Sequence, residues 1–293
     1  MTSPACRPPD RISGHNEVVG TVLGCWRYPV KSAAHEAAGQ LTVTGEGVLG
    51  DRRWAVMDED GTVVSAKHPA RGGRLLAVTA AYDDETGAVT VTVPGHAAHR
   101  AGSPDANTAL SQWLGRRVRL TDTVPGGLRL HRLYPQDAGM VPDWHPDARP
   151  GQEAVTDVTG AAWGRFVDYG PVHLVTAGAL ARLEQERGRP VQPLRFRPNL
   201  LLGLPGDPEP GSVLQAGEVI LRVDLPTPRC IIPSLPHPGA AEPDPGLLSV
   251  LARHHRQPIP GRGRAAVLGC YATVEKPGRI TVGDGIRIPG RRD

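Results

Sequence analysis

The sequence predicts a mainly β protein with a few short helices, of α+β class, and three observations carry this. The 293 residues include 36 glycines and 30 prolines, punctuation that suits many short strands joined by turns better than a helical bundle. Helical spacing appears in only three short stretches, opened by Ser103-Pro104, Thr176 and Asp244-Pro245. Turn signals recur between apolar runs at Asp60-Gly61, Thr86-Gly87 and Gly283-Asp284-Gly285. An apolar content of 39% is enough for one large core or two ordinary ones.

Taken in order, residues 1–16 carry no apolar run and read as a disordered tail. Val18 to Trp26 is an apolar run and reads as a strand that Pro29 ends. Leu41 to Val43 is a short strand. Trp54–Asp58 and Thr62–Ser65 alternate around Asp60-Gly61 as a hairpin. A second hairpin joins Leu75–Tyr82 to Val89–Val93. Ser103 caps a helix with Pro104 at its first position and Leu110, Trp113 and Leu114 on one face, and Gly115 closes it. Arg116–Leu120 returns as a strand. Residues 123–161 are rich in Pro, Asp and Gly and read as a long connection. The second half opens with a strand from Phe166 to Val175. A helix capped by Thr176 follows, then strands Leu200–Leu202 and Val219–Val223. A helix after Asp244, a strand at Ala266–Leu268 and a hairpin from Gly278 to Ile288 complete the chain.

Composition excludes several functions. A formal charge of +3 and 4% aromatics give no basic, base-stacking stripe, so no nucleic-acid partner is expected. No window approaches the ~18 consecutive apolar residues of a membrane span, and the N-terminus is not a signal peptide. The four cysteines, Cys6, Cys25, Cys230 and Cys270, form no C-x-x-C pair, against zinc-ribbon and iron–sulfur sites and for a reduced, cytoplasmic compartment. Glycine-rich nucleotide loops, a G-x-S-x-G elbow and H-E-x-x-H are absent. His173 lies within an apolar strand and reads as a satisfied core histidine.

What remains is a set of polar groups at strand ends. Cys230 follows Arg229 between prolines, behind the strand Val219–Val223. A free cysteine is ordinarily a small buried hydrophobe. Here the adjacent arginine favours thiolate, the stiff loop suits a site, and thiolate is a soft metal ligand. Lys31 and Ser32 follow Pro29, Arg52 precedes a strand, and Arg197 and Asn199 flank Pro198. Solvated loop residues and internal salt bridges remain alternative readings for these. As a set they suit an anionic, phosphate-bearing ligand with a soft centre.

Tyr28-Pro29-Val30-Lys31-Ser32, Gly50-Asp51-Arg52-Arg53-Trp54, Arg195-Phe196-Arg197-Pro198-Asn199, Arg229-Cys230 and Pro277-Gly278-x-Ile280-x-Val282-Gly283-Asp284 occur in this order. Together they resemble a MOSC-domain protein, of the molybdenum-cofactor sulfurase C-terminal superfamily, with its N-terminal MOSC β-barrel domain. The resemblance covers about residues 17 to 290. It implies a tail at 1–16, an N-terminal β-barrel domain at 17–122, a connection at 123–160 and the MOSC domain at 161–290. It also implies a molybdenum cofactor (Mo-molybdopterin). Cys230 would be the metal ligand and catalytic residue, and Lys31, Ser32, Arg52, Arg197 and Asn199 would hold the pterin and its phosphate.

The family includes the amidoxime-reducing component, so the implied activity is reduction of small N-hydroxylated substrates. The chain lacks cysteines for an iron–sulfur cluster of its own. Electrons are therefore expected from a separate protein of ferredoxin or cytochrome/flavin reductase type. The alternatives are a sulfur-transfer protein carrying a persulfide on Cys230 and a non-catalytic cofactor carrier. In the sulfur-transfer case the partner is a cysteine desulfurase, which would hold pyridoxal phosphate itself. Two departures from the family pattern stand out: Gly170 where a small hydroxyl residue is usual, and Ile232-Pro233-Ser234 after the cysteine where polar residues are usual.

Overall fold

The structure is a computed structural model that describes residues 17–158, 163–237, 239 and 241–288. Seven strands close a barrel: β1 (Val18–Arg27), β2 (Val172–Thr176), β3 (Leu200–Leu202), β4 (Val213–Ala216), β5 (Val219–Pro228), β6 (Gly263–Lys276) and β7 (Gly285–Arg287). Around the barrel the order is β2-β3-β1-β7-β4-β5-β6, and β6 pairs back onto β2. Only β2 and β3 run parallel. Helix Ala177–Arg187 lies between them in sequence, as a parallel connection requires.

Alternation fills the barrel. Val22 and Cys25 of β1, Val172 and Leu174 of β2, Leu200 and Leu202 of β3, and Leu221 and Val223 of β5 point inward and are buried. Each such side chain contributes roughly 1.5–3 kcal/mol on leaving water. Burial among these groups pushes the Cys25 thiol up to about 12, so it is inert.

Outside the barrel, helix Pro104–Leu114 lays Ala106, Ala109 and Leu110 on a core shared with Val56, Leu75, Val89 and Val91. Helices Ala177–Arg187 and Gly246–His254 pack Leu183, Leu247 and Leu251 against Phe196, Val175 and Leu268. Both helices foreseen at Ser103 and Thr176 start there, with each cap side chain accepting an N–H at the third residue on.

Five local expectations change. Leu75 to Ala77 lie in the short helical turn Gly73–Ala77, so the second hairpin's first arm starts at Thr79, and the strand expected from Phe166 begins only at Val172, after Pro171. Strand Ala55–Asp58 pairs with Val118–Thr121, and the turn at Asp60-Gly61 leaves only an isolated bridge, Met57 to Val63. The final hairpin is two separate strands. Gly278–Thr281 pairs with Gln40–Thr44, while β7 enters the barrel beside β1 and β4. The turn between them is tied outward, Val282 N–H to the Gly39 carbonyl and Gly283 N–H to the Val22 carbonyl, and this splits the arms. Residues 123–161 include a paired hairpin of their own, Arg129–Leu133 with Glu153–Asp157.

Gly269 shows what closing the barrel demands. It sits in β6 at φ +74°, and a Cβ there would lie 2.4 Å from the Leu174 carbonyl oxygen and 3.0 Å from His173 Nε2. Only glycine combines that backbone with that approach of β6 to β2. Gly269→Ala should lower stability by about 1–3 kcal/mol, measured by urea unfolding, with Gly45→Ala, where a Cβ meets nothing within 4 Å, as the unaffected comparison.

Candidate functional site

Three segments meet at one end of the barrel. β1 runs into Tyr28–Ser32, which is knitted to Arg52–Trp54: Arg52 N–H donates to the Tyr28 carbonyl, Trp54 N–H to that of Pro29 and Lys31 N–H to that of Trp54. The single turn Pro193–Phe196 delivers Arg197. β5 ends at Pro228 and delivers Arg229 and Cys230. Between them lies a cleft that is partly open to solvent. Lys31, Ser32, Arg52, Arg197 and Cys230 all line it.

Backbone conformation singles out the same residues. Among the described residues only three non-glycines have positive φ: Ser32 at 65°, Arg52 at 47° and Arg197 at 55°. Such conformations cost on the order of 1–3 kcal/mol each and persist where the surroundings impose them, often at functional sites. Here the neighbours do impose them. Arg52 Nη2 donates to the Arg197 carbonyl at 3.0 Å and Arg197 Nη1 to the Ala33 carbonyl at 2.6 Å. Both guanidinium groups lie over the Tyr28 ring, at 4.7 and 4.3 Å. Asp51, wholly buried, receives Arg52 and the Tyr28 N–H. Arg197 Nη2 is buried without a hydrogen-bond partner. Burial brings the Arg197 guanidinium down to about 10.

A second cluster faces these. Lys31 Nζ donates to Asp168 Oδ1 at 2.8 Å and to the Phe166 carbonyl at 2.7 Å, and Lys67 Nζ reaches the same Asp168 oxygen at 2.7 Å. One carboxylate thus serves two ammonium groups. Burial drives Lys31 down to about 8 against the pull of Asp168. Asp168, which burial alone would raise, is held well below the usual carboxylate range by the two lysines. Ser32 Oγ accepts from the Ala66 N–H and meets the Ser65 hydroxyl at 3.2 Å.

Cys230 is half-buried and packs against Ala66, Leu76 and Ile232. Arg229 beside it turns its guanidinium into the protein, to the carbonyls of Leu268 and Phe196 and to His173 Nε2 at 2.6 Å. Because Arg229 can only donate, His173 Nε2 accepts, and its Nδ1 carries the proton given to the Arg197 carbonyl at 3.1 Å. Burial and then Arg229 hold His173 well below its usual range, so the ring stays neutral. His173 is the satisfied histidine foreseen from sequence, and it also lines the cleft.

Asn199 does not line the cleft. It is fully buried behind it, accepting from the His173 N–H and donating to the Trp26 carbonyl, which ties β2 to β1. Sequence reasoning missed Lys67, Asp168 and Ser65. Val64-Ser65-Ala66-Lys67 repeats the pattern of Val30-Lys31-Ser32, apolar residues running into Ser and Lys at a strand end, and that signal could have flagged it.

A sequence profile described as the MOSC domain matches residues 162–287, and one described as the MOSC N-terminal beta barrel domain matches 19–121. The chain is a MOSC-domain protein. Among curated relatives it is similar to mitochondrial amidoxime-reducing component 1 of Homo sapiens, 25% identical over 93% of this chain and 84% of that one. It is also similar to mitochondrial amidoxime reducing component 2 of Bos taurus, 25% identical over 91% of this chain and 82% of that one. The solved YUAD protein from Bacillus subtilis aligns with a TM-score of 0.44 at 14% identity, over 93% of this chain and 97% of that one.

Both MOSC matches contribute to the cleft: Lys31, Ser32, Arg52 and Lys67 from the N-terminal one, Asp168, Arg197 and Cys230 from the other. The N-terminal match also supplies β1, which closes the barrel. The departures from the MOSC pattern have local causes. A Cβ on Gly170 would meet the Tyr271 Cβ at 2.8 Å, so packing requires glycine there. Ile232-Pro233-Ser234 forms a short helical turn whose Pro233 carbonyl accepts from Arg195.

The depressed Lys31 predicts a pH effect. Between about pH 8 and 10.5 the unfolded chain keeps a proton at this lysine that the folded chain has lost, so the residue makes stability rise with pH across that window. Lys31→Met should flatten the slope of unfolding free energy between pH 8 and 10, measured by urea titration; an unchanged slope would show that Lys31 titrates normally.

Proposed function

We propose that this chain binds a molybdenum cofactor and acts as an oxidoreductase that removes oxygen from N-hydroxylated compounds. The observation that carries the proposal is the pairing of a half-buried thiol with a cation array that outnumbers its counter-charges. Seven cationic side chains line the cleft, and among the described residues the carboxylates that pair with them are Asp168, shared by Lys31 and Lys67, and Asp51 behind Arg52. Buried charges are ordinarily paired, so this surplus calls for an anionic ligand. Arg197 Nη2, buried and without a partner, is a donor waiting for one of its oxygens. Among the described residues no three metal-ligating side chains cluster, so a metal here would bring ligands of its own and could take Cys230 as a protein ligand. A pterin phosphate that chelates molybdenum through its dithiolene meets these conditions.

In this reading Arg197, Arg52, Lys31 and Ser32 hold the pterin and its phosphate, Cys230 is the thiolate on the metal, and Asn199 sets the loops from behind. When bound, the cofactor supplies two-electron removal of the N–O oxygen. One hydroxylamine-type substrate, two electrons and two protons give one amine and one water. The electrons come from a separate donor protein. Bound by charge-assisted contacts of fixed geometry, the phosphate would be held more firmly than by neutral donors. A persulfide carried on Cys230 would have no use for such an array.

The test is molybdenum content by elemental mass spectrometry on protein from a cofactor-making host, with Cys230→Ala and Arg197→Ala beside it. Near-stoichiometric metal in the parent, lowered in both variants, together with amidoxime reduction lost in Cys230→Ala, is the expected result. Metal-free parent protein from a competent host would overturn the proposal.

A further inference from the structure

Among the described residues three polar groups that line the cleft are buried without a hydrogen-bond partner, Arg197 Nη2, Thr227 Oγ1 and Arg132 Nε, and two of them belong to cations. Arg197 Nη2 is deep and buried. The other is Arg132, on the strand Arg129–Leu133, half-exposed at the outer end. Its Nε is buried without a hydrogen-bond partner, and among the described residues no carboxylate pairs with it. Its guanidinium carbon lies 5.6 Å from the Tyr134 ring centre. The remaining cations of the cleft are engaged: Lys31 and Lys67 on Asp168, Arg52 on Asp51, and Arg195 and Arg229 largely on backbone carbonyls.

Arg132 also borders both spaces that meet at Cys230. A side cavity joins the main cleft at Cys230, and the two share Lys67, Arg132, Pro142, Arg229 and Cys230. Arg197, Arg52, Lys31 and Ser32 border the main cleft and not the side cavity. The chain has 12 aromatic residues, 5 Trp, 5 Tyr and 2 Phe, and five of them, Tyr134, Trp144, Tyr169, Phe196 and Tyr271, face these two spaces. Nearly half of the aromatics therefore line one cleft and its side cavity; Phe196, Tyr169 and Tyr134 each carry an arginine at 5.3–5.6 Å and Tyr271 packs on His173, which leaves their remaining edges and the Trp144 ring for a planar group.

From this, and resting on the proposed N-reductase function, we infer that the substrate is an aromatic N-hydroxylated compound that carries an anionic group, a carboxylate or phosphate, and that Arg132 selects it. Arg132 holds the anion through its planar fork, the aromatic wall takes the ring, and the N–O group is left facing Cys230. A neutral substrate fills the wall and leaves Arg132 unpaired, so it binds less well.

The test uses holoenzyme with a chemical reductant in place of the donor protein, and compares benzamidoxime, 4-carboxybenzamidoxime and 4-amidinobenzamidoxime. The carboxylated compound should exceed the neutral one in kcat/KM by about tenfold or more, the scale of a hydrogen-bonded charged contact. Arg132→Gln should bring that ratio toward one. Arg132→Glu should turn the preference toward the cationic compound, which a merely damaged site would not do. Equal rates for all three compounds would overturn the inference and leave the proposed function standing.

If none is reduced, calorimetry with 4-carbamoylbenzoate against benzamide decides. Binding of the carboxylate that Arg132→Gln abolishes keeps the anion site while the N-reductase reading fails, and equal binding of the two removes the site as well. Molybdenum content distinguishes the source of the anion: occupancy that falls in Arg132→Gln would assign this arginine to the cofactor phosphate and overturn the inference.

Discussion

Positive charge held in place without being neutralised is the constraint on which the cleft depends. Among the described residues no carboxylate sits on the guanidinium groups of Arg197 and Arg229; Ala33, Leu268 and Phe196 offer carbonyl oxygens instead. A carbonyl fixes the position of a cation and satisfies its N–H groups while leaving its formal charge for a ligand. A carboxylate in the same place would bind the arginine more strongly and cancel that charge. Burial lowers the pKa of both arginines, as expected where a charged form has little solvent and no counter-ion. Desolvation of this kind is expensive, and it is tolerable here because few such groups are fully sealed and a ligand can complete them.

Carbonyls must be aimed, and that explains the strained backbone. Arg52 and Arg197 adopt left-handed conformations on either side of the Tyr28 ring, and the carbonyl of Arg197 is turned so that Arg52 Nη2 and His173 Nδ1 both donate to it. Arg52 and Arg197 are therefore part of one arrangement, in which local strain is offset by buried hydrogen bonds and by two guanidinium–aromatic contacts. The barrel sets the frame. β1 and β3 bring Tyr28 and Arg197 together through their antiparallel ladder, and Asn199 ties the ends of β1 and β2 from behind.

How much of this was legible depends on the range of the information involved. Lys31, Ser32, Arg52 and Arg197 stand at strand ends next to proline or glycine, and strand ends are local in the sequence. The helices at Ser103 and Thr176 were legible for the same reason, since a cap is read over four residues. Lys67 and Arg132 gain meaning only when the chain at 63–68 and 129–133 is laid beside the barrel mouth. That depends on contacts such as Lys67 to Asp168, 101 residues apart. The final strands misled because Gly283-Asp284-Gly285 has the chemistry of a tight turn, and the turn is real; what local chemistry does not carry is that its arms pair with Gln40–Thr44 and with β1. Asn199, a polar side chain beside an arginine, looked like a ligand contact. Its amide accepts from the His173 N–H and, at 3.5 Å, from Arg52 Nη1, and donates to the Trp26 carbonyl, so it stands behind the cleft with its hydrogen bonds made.

His173 shows how the two halves of the cleft are bound to each other. It faces Tyr271 across the β2–β6 pairing, with ring centres 5.2 Å apart, and Gly269 lets β6 approach it. Its Nε2 must accept from Arg229, so its Nδ1 must donate to the carbonyl of Arg197. One neutral imidazole therefore links Arg229, beside Cys230, to Arg197. Protonation would place a donor against a donor at Arg229 and add a charge beside two others, which is why burial and Arg229 both hold the ring neutral. The thiol end and the anion end cannot shift independently while that ring keeps its tautomer. A rigid neutral link fixes the separation of the two ends without adding to the charge that burial already makes costly.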